Sequence, residues 1–283
     1  MTALPPRLQL PDVTLVCVDT GAPRASLAAL LHCMRQADFG DVLLFTDPMQ
    51  VRDAPHEVRL RGLQLQDATS RTEFMLEELA AHVFTSHALV IQHDAFIADA
   101  SQWHEDFLLY DYIGAPVRGL PASRAVGHGA FSLRSRRLLV ALRLAAISPQ
   151  APDDELICQH HREHLERVHD IRFAPPDLAQ RFARATPATP PASFGFQGLA
   201  HLAHVLPPEG LDEWLAQLPD ALLQGPDGAR LCAALLQAQQ PNAAAKVLAV
   251  RRRDGRADPR CWHLRLRLAW ALRHHRRQSG FHA

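Results

Sequence analysis

The histidines of residues 160–164 have the spacing of a zinc site. The sequence His-His-Arg-Glu-His fits H-x-x-E-H, the inverted zinc-protease pattern, in which two histidines one helical turn apart share a metal ion. The neighbouring residues are polar on every side, the chain holds 17 histidines, and no supporting signature supplies a third ligand. We therefore expect an exposed helix here, and we keep a zinc hydrolase as an alternative hypothesis.

Three aspartates follow apolar segments that have the composition of buried β-strands. The segments are residues 13–18, 42–46 and 88–91, and the aspartates after them are Asp19, Asp47 and Asp94. In α/β proteins, ligands bind beyond the carboxyl ends of such strands. Aspartate is also common in turns for local reasons, and we prefer that interpretation for Asp47, which precedes a proline. For Asp94 we favour a role in function.

Helices are predicted between these strands. Pro23 fits the first position of a helix that carries apolar residues at helical spacing up to Met34. Ser70 and Glu73 have the spacing of a capping box, which predicts a helix from there to about Phe84. Strands that are continuously apolar and that alternate with helices favour an α/β fold whose sheet is covered on both faces.

Two later segments contain residues that suit a site. Gly127 and Gly129 permit unusual backbone angles or the close approach of a ligand. Residues 152–155, Pro-Asp-Asp-Glu, open a helix that extends to about Val168. The acidic first turn is one that the helix dipole favours.

The overall composition argues against several classes of partner. Lys and Arg together number 30, as do Asp and Glu, and no block of like charge predicts binding to nucleic acid or to an anionic membrane. We expect Arg251, Arg252 and Arg253 on a solvated helix face. No apolar stretch approaches the ~20 residues that cross a bilayer, and residues 1–12 do not resemble a signal peptide. Five scattered cysteines without a C-x-x-C predict reduced thiols in a cytoplasmic protein.

The last third of the chain lacks strand signals. It follows a proline-rich segment, residues 185–191, and helices are predicted at residues 210–218, 229–239, 243–253 and 259–276. Paired helices of this length are similar to a tetratricopeptide-type helical repeat, without a measurable period. Such a region docks a protein partner or an acceptor chain, or caps the preceding domain.

A set of motifs spread over residues 10–200 resembles the pattern of one protein family. The motifs are Val18-Asp19, Leu44-Phe45-Thr46-Asp47, Gln92-His93-Asp94-Ala95-Phe96, YDYIGAP at 110–116, GHGAFSLRS at 127–135, DDELIC at 153–158, IRFAP at 171–175 and FGFQG at 194–198. They are similar to V-D, L-F-T-D, Q-x-D-G-F, Y-D-Y-I-G-A-P, G-N-G-G-F-S-L-R-S, E-D-x-x-I-C, G-I-R-F-A-P and F-G-F-H-G. That is the pattern of bacterial glycosyltransferase-like proteins of a formally uncharacterised domain family. The resemblance implies a GT-A-like, Rossmann-type mixed sheet for residues 10–200, followed by a small helical region, residues 201–283.

The resemblance also implies a reaction. A sugar would pass from a nucleotide-diphosphate donor, such as a UDP-sugar, to a hydroxyl of a glycan or glycolipid acceptor, as in surface polysaccharide assembly. The donor-binding residues would be Asp19, Thr20, Arg71, Gln92 and Asp94. Gln92-x-Asp94 takes the place of the usual D-x-D motif, so Asp94 would bind Mn²⁺ or Mg²⁺ that neutralises the diphosphate leaving group.

The acceptor side and the catalytic base are implied in the same way. Gly127, His128, Gly129 and Phe131 would form the wall of the acceptor site. Asp154 or Asp153 would take the proton from the acceptor hydroxyl in an inverting displacement. The alternative for both aspartates is a plain helix cap.

Several positions depart from the family pattern. Gln197 stands where the family has a histidine that is a candidate cation ligand, and an amide is a poor ligand for a transition-metal-like ion. Asp153 replaces a glutamate, and Ala95, His128 and Ala130 replace glycine, asparagine and glycine. The alternative function is therefore a catalytically impaired protein of the same fold that binds a nucleotide-sugar or a glycan.

Overall fold

The structure, a computed structural model, describes residues 7–121, 124–185, 193–253, 263–269 and 271. The described residues form two units, of which the first ends at Gln197 and the second begins at Gly198. Most of the predicted proline-rich segment lies outside the described residues. So do both ends of the predicted final helix, of which residues 263–269 are helical.

A six-stranded sheet forms the centre of the first unit. Its strands are β1 (Leu8–Val18), β2 (Ala37–Thr46), β3 (Arg59–Gly62), β4 (His87–Ile91), β5 (Tyr112–Gly114) and β6 (Ser132–Ser135), in the order β3-β2-β1-β4-β6-β5. The first four are parallel to their neighbours, and β6 runs antiparallel to both β4 and β5. The predicted α/β class, with a GT-A-like mixed sheet and a helical region after it, is confirmed.

Helices surround this sheet. They are α1 (Pro23–Gln36), α2 (Ala68–Glu73), α3 (Arg136–Ala145), α4 (Asp153–Glu155), α5 (Arg162–His169) and α6 (Pro176–Phe182). A π-helical turn, Phe74–Glu78, and a 3-10 turn, Leu79–Ala81, continue α2, and another π-helical turn, Leu156–His160, continues α4. Two short parallel strands, β7 (Ala183–Arg184) and β8 (Gly195–Phe196), complete the unit.

Apolar packing on one face of the sheet fixes the helix that begins with α2. Val16, Phe45 and Val90 of the strands share one buried cluster with Phe74 and Leu139, which lie on that helix and on α3. Helix α1 packs against β1 and β2 but contributes nothing to this cluster. Both faces of the central strands are therefore covered, which explains why their sequences are continuously apolar.

The start of α2 differs from the prediction. Asp67, rather than Ser70, is the N-cap, and its carboxylate accepts a hydrogen bond from the Ser70 N–H at 2.8 Å. The Ser70 hydroxyl lies 3.1 Å from the Asp67 N–H and takes the place of the glutamate in a capping box. Ser70 and Glu73 therefore lie inside the helix, which begins three residues earlier than predicted.

The helix predicted from residue 154 to residue 168 is interrupted. His161 leaves helical geometry (φ −108°, ψ 5°), so His160 ends one helical segment and His164 lies on the next. His160 lies 3.3 Å from Glu155, and the ring of His164 lies 5.6 Å from that of His169. Among the described residues no group of three or more His, Cys, Asp or Glu side chains could hold a metal ion, a finding that gives the zinc hypothesis no support.

Asp111 connects three segments of the first unit. Its carboxylate accepts hydrogen bonds from the Ser135 hydroxyl at 2.6 Å, the Arg172 N–H at 2.8 Å, and the Arg137 guanidinium at 2.5 and 3.1 Å. Burial opposes its ionisation, but these hydrogen bonds and the charge of Arg137 lower its pKa. Asp111 therefore fixes β5 to the start of α3, and with it the position of β6.

The second unit is helical. Its elements are α7 (Leu202–Val205), α8 (Pro208–Gln217), α9 (Asp220–Gln224), α10 (Pro226–Gln237) and α11 (Pro241–Arg253). Helices α8, α10 and α11 confirm three predicted helices within three residues at each end, whereas α7 and α9 were not predicted. The prediction that Arg251 is solvated is wrong. Its side chain is buried and donates to the carbonyls of Leu223, Gln224 and Gly225, which end α9. Among the described residues of both units, no helix has the length and apolarity that a membrane crossing requires.

We expect Asp111→Ala to lower the free energy of unfolding by about 3 kcal/mol, because it leaves Arg137 and the Arg172 N–H without a buried anion. Asp170→Asn is the control, since Asp170 contacts the same Arg137 but is 90% exposed, and asparagine tolerates the left-handed backbone of this position (φ 52°). Urea unfolding at neutral pH measures both variants. Equal stability of the two would contradict the role given to Asp111.

Candidate functional site

The strand order places a crevice between β1 and β4. From β1 the chain adds β2 and β3 on one side, and it then returns to place β4 on the other side of β1. The place where the chain changes from one side of a strand to the other is called the switch point of the sheet. Ligands of open α/β sheets bind there, beyond the carboxyl ends of the two strands. A cleft of about 390 Å³ lies there. Its walls come from the segments after β1 and β4 and from the start of α2, and they include Asp19, Thr20, Gly21, Asp67, Arg71, Gln92 and His93.

Asp19 holds the segment after β1 in place. One carboxylate oxygen accepts from the N–H groups of Gly21 and Ala22 at 2.8 and 3.0 Å, and the other accepts from the Ser26 hydroxyl at 2.7 Å. The second oxygen also lies 2.7 Å from Nδ1 of His93. Burial opposes the ionised form, but these hydrogen bonds and the charge of His93 lower the pKa of Asp19 to about 2. Asp19 therefore lines the cleft as a carboxylate that already makes four contacts.

The segment after β4 is a tight turn. Gln92 and Ala95 exchange backbone hydrogen bonds of 2.9 and 3.1 Å, so His93 and Asp94 occupy the tip. The contact of His93 with Asp19 joins this turn to β1 across the switch point. Sequence reasoning missed His93, because it is the variable residue of Q-x-D and its partner lies 74 residues earlier in the chain.

Asp153 connects the cleft to the sheet through two arginines. Arg71, from α2, lies 3.2 Å from one carboxylate oxygen of Asp153, and Arg134, from β6, lies 2.7 Å from the other. Arg71 is the member of this group that lines the cleft. Burial opposes the ionisation of Asp153, but the charges of Arg134 and Arg71 lower its pKa below the ordinary value. Arg134 was not predicted, since its segment Ser-Leu-Arg-Ser suggests a polar loop.

Asp154, the next residue, faces the loop of residues 127–131, which we call the glycine loop. One of its carboxylate oxygens accepts the Gly129 N–H at 2.7 Å, and the other accepts the N–H of Glu155 at 3.0 Å. A Cβ on residue 129 would lie 2.8 Å from that of Asp154 and 2.9 Å from Nη2 of Arg134, so only glycine fits there. The loop is fixed on its other side by Tyr112, whose hydroxyl donates to the Gly127 carbonyl at 2.6 Å.

Two other residues predicted for the acceptor side have different surroundings. His128 belongs to this loop and is partly buried. Burial lowers its pKa, and the nearby charge of Asp154 partly offsets that effect. Phe131 is fully buried and packs among Phe182 and Phe194, with their ring centroids 5.0 and 5.8 Å away. Its side chain therefore packs in the core of the protein and does not line the surface of an acceptor site.

Asp94 and Gln197, the predicted cation ligands, lie on neighbouring backbone segments. Ile97 pairs with Gly195 in an antiparallel bridge, so the segment that carries Asp94 lies beside the one that carries Gln197. Neither residue is among those that line the cleft. The side-chain oxygen of Gln197 is buried and has no hydrogen-bond partner among the described residues. A carboxylate and an amide oxygen are the kinds of donor that suit Mg²⁺, which also takes oxygens from a bound phosphate. Among the described residues no group of three or more His, Cys, Asp or Glu side chains could hold a metal ion, so a cation here would need oxygens from a bound ligand.

Residues 58–194 match the model of a protein family. Its description is "Protein of unknown function (DUF5672)", and the matched region is 137 of the 283 residues. The chain is similar to the crystal structure of TarS residues 1–349 from S. aureus, with 12% identity and a TM-score of 0.40, over 92% of this chain and 88% of that one.

The chain is also similar to the crystal structure of a homolog of Mycobacterium tuberculosis rv0371c from Mycobacterium sp. strain JC1. The identity is 12% and the TM-score 0.33, over 58% of this chain and 84% of that one. No curated protein matches in sequence. At these scores neither solved structure bears on the reaction.

The structure brings most of the predicted donor residues together. Asp19, Thr20, Arg71 and Gln92 line one cleft, although they come from three separate segments. The two predicted catalytic aspartates diverge: Asp153 points to the arginines, and Asp154 points to the glycine loop.

We expect Asp19→Asn to lower the free energy of unfolding by roughly 2 kcal/mol at neutral pH. The folded-state pKa of Asp19 is about 2, below the ordinary value of 3.8, so its contribution is complete above pH 3.8. The difference from the unmodified protein should therefore shrink as the pH falls through 3.8 toward 2. Chemical unfolding at a series of pH values measures it, with the exposed Asp12→Asn as the control. A difference that stays constant with pH would contradict the low pKa of Asp19.

Proposed function

We propose that this protein is a glycosyltransferase that moves a sugar from a nucleotide-diphosphate donor to a hydroxyl of a saccharide or glycolipid acceptor. The observation that carries the proposal is the cleft at the β1/β4 switch point, which presents the guanidinium of Arg71 next to the turns that hold Asp19 and Gln92. Asp154 and the glycine loop lie beyond Asp153, the ion-pair partner of Arg71. A site for an anionic donor and a site for an acceptor would then adjoin each other.

The donor would lie across the carboxyl ends of β1 and β4. Thr20 and Gly21 would face the nucleoside, and Arg71 would pair with the diphosphate, whose negative charge grows as the bond to the sugar breaks. Asp94 and Gln197 would hold a divalent cation, which would supply further neutralisation of that charge. We expect Mn²⁺ and a UDP-sugar to bind at this site, and binding measurements test both expectations.

Asp154 is the better candidate for the general base. Both oxygens of Asp153 contact guanidinium groups, and its side chain is only 5% exposed, so an acceptor hydroxyl has no route to it. Asp154 is partly exposed, and its hydrogen bonds among the described residues come from two backbone N–H groups, which hold it in position without neutralising it. In an inverting displacement the acceptor oxygen would attack the anomeric carbon, the bond to the diphosphate oxygen would break, and Asp154 would take the proton.

A catalytically impaired binding protein is the second candidate. It is favoured by the two backbone hydrogen bonds of Asp154, which are those of a helix cap. The replacement of a family histidine by Gln197 favours it too. Such a protein would bind the donor in the same cleft without transferring the sugar. The helical second unit would then be a place for a protein partner, and a cytoplasmic location remains the expectation from composition.

The first experiment is calorimetric titration with a panel of nucleoside diphosphates and their sugars, with EDTA, Mg²⁺ or Mn²⁺. We expect one base to bind, and we expect slow release of the nucleoside diphosphate from its sugar. Asp154→Asn should leave donor binding unchanged and reduce that release by about 10²- to 10⁴-fold, the usual contribution of a general base. Glu155→Gln, a change to an exposed neighbour, should alter neither quantity.

Three outcomes separate the hypotheses. Binding without release, in the unmodified protein, would favour the binding protein. Release by Asp154→Asn at the normal rate would show that the base is another residue. If none of the panel binds under any condition, a nucleotide-sugar is not the ligand of this cleft.

A further inference from the structure

The ion pairs of Asp153 are unequal in their access to solvent. The side chain of Arg71 is 24% exposed and forms part of the cleft wall, whereas that of Arg134 is completely buried. The second contact of Arg71 is a long one, 3.4 Å from its Nε to the Val18 carbonyl. Arg71 is therefore the arginine that can turn toward a ligand.

Arg134 depends on Asp153 for its charge balance. Neither Nη1 nor Nη2 makes a hydrogen bond among the described residues, so the ion pair of Nη2 with Asp153 at 2.7 Å is the contact that balances its charge, and its Nε donates to the neutral hydroxyl of Ser132. The ring of Tyr112 lies 5.5 Å from the guanidinium carbon and adds only a weak attraction. Because a buried charge is costly without an opposite one, Asp153 and Arg134 have to stay together.

The glycine loop encloses this pair. At Gly129 there is no space for a Cβ, because Nη2 of Arg134 and the side chain of Asp154 already occupy it. Ser132 donates to the Gly129 carbonyl at 3.0 Å and also accepts from Nε of Arg134, so it joins the loop to the arginine. Movement of Arg71 would leave the rest of this arrangement unchanged.

We propose that Arg134 is a positioning residue for anion recognition: it balances the charge of Asp153 so that Arg71 can leave Asp153 and bind a phosphate group of the ligand. The proposal rests on the proposed function, in which the ligand carries a diphosphate. In the empty cleft Asp153 orients Arg71; in the occupied cleft the phosphate replaces Asp153 as the partner of Arg71, and Arg134 remains as the partner of Asp153. Without Arg134, Asp153 would compete with the ligand for Arg71.

The test is a cycle of variants, with inorganic pyrophosphate as the probe and calorimetry in EDTA as the measurement. Arg71→Gln should abolish binding. Arg134→Met should weaken it by about 10-fold, because Asp153 then retains Arg71. The double variant Arg134→Met with Asp153→Asn should bind within about threefold of the unmodified protein, since the neutral amide no longer competes for Arg71. Arg35→Met, a charge loss in the last turn of α1, should have no effect.

Rescue by the second substitution separates this role from a merely structural one. Loss of packing around Arg134 would persist in the double variant, whereas competition for Arg71 would not. Thermal unfolding of every variant checks that the protein is folded. If Arg134→Met alone does not fold, Asp153→Asn decides, because it must bind pyrophosphate at least as tightly as the unmodified protein.

The proposal is overturned if Arg134→Met binds like the unmodified protein, or if the double variant binds as weakly as Arg134→Met. It also fails if pyrophosphate binding does not depend on Arg71 or does not occur. The expected pattern with pyrophosphate, together with no binding of any nucleoside diphosphate or nucleotide-sugar, would sustain the role of Arg134 and reject the proposed transferase.

Discussion

The carboxylate of Asp153 lies between two guanidinium groups, and the arrangement of the cleft depends on this contact. Arg71, Arg134 and Asp153 belong to α2, β6 and α4, three elements far apart in the sequence. Arg134 and Asp153 are both buried, so these two require each other, and removal of one partner from a buried ion pair typically costs about 3–5 kcal/mol. The ion pairs therefore specify where the two helices meet the sheet more than they add to its stability.

The order of the strands explains why a cleft lies next to these ion pairs. Because the chain leaves β1 and β4 in opposite directions, the backbone cannot fill the space between their carboxyl ends. Asp19 and His93 cross that space at one side and hold the two turns together. Arg71 approaches from α2, and what remains is a cleft whose wall holds two carboxylates, an imidazole and a guanidinium. An anionic ligand that enters it meets the guanidinium of Arg71 and several groups that already have partners, among them Asp19 and His93.

The parts of the fold that could be predicted are those whose signal is local. The apolar segments 13–18, 42–46 and 88–91 lie in β1, β2 and β4, and the polar residues at their ends follow from the rule for α/β sheets. Strands β1 and β2 begin five residues earlier than predicted, because their first halves are largely polar. Strand β3 was missed because Arg-Leu-Arg-Gly at a sheet edge resembles a loop, and β6 was missed because it carries Arg134 in its interior. In the site, the pairing of His93 with Asp19 joins residues that no short pattern connects.

The adjacent aspartates show how one short motif can serve two purposes. Successive residues of a helix point about 100° apart, so the first turn of α4 directs Asp153 into the protein and Asp154 toward the loop. The inner carboxylate is held ionised by arginines, whereas the outer one accepts hydrogen bonds, among the described residues, from backbone N–H groups. The shorter side chain at 153, where the resembled pattern has glutamate, still lies 2.7 Å from Arg134. The contact with the arginine therefore does not need the longer side chain, whereas the residue at 154 retains the aspartate of that pattern.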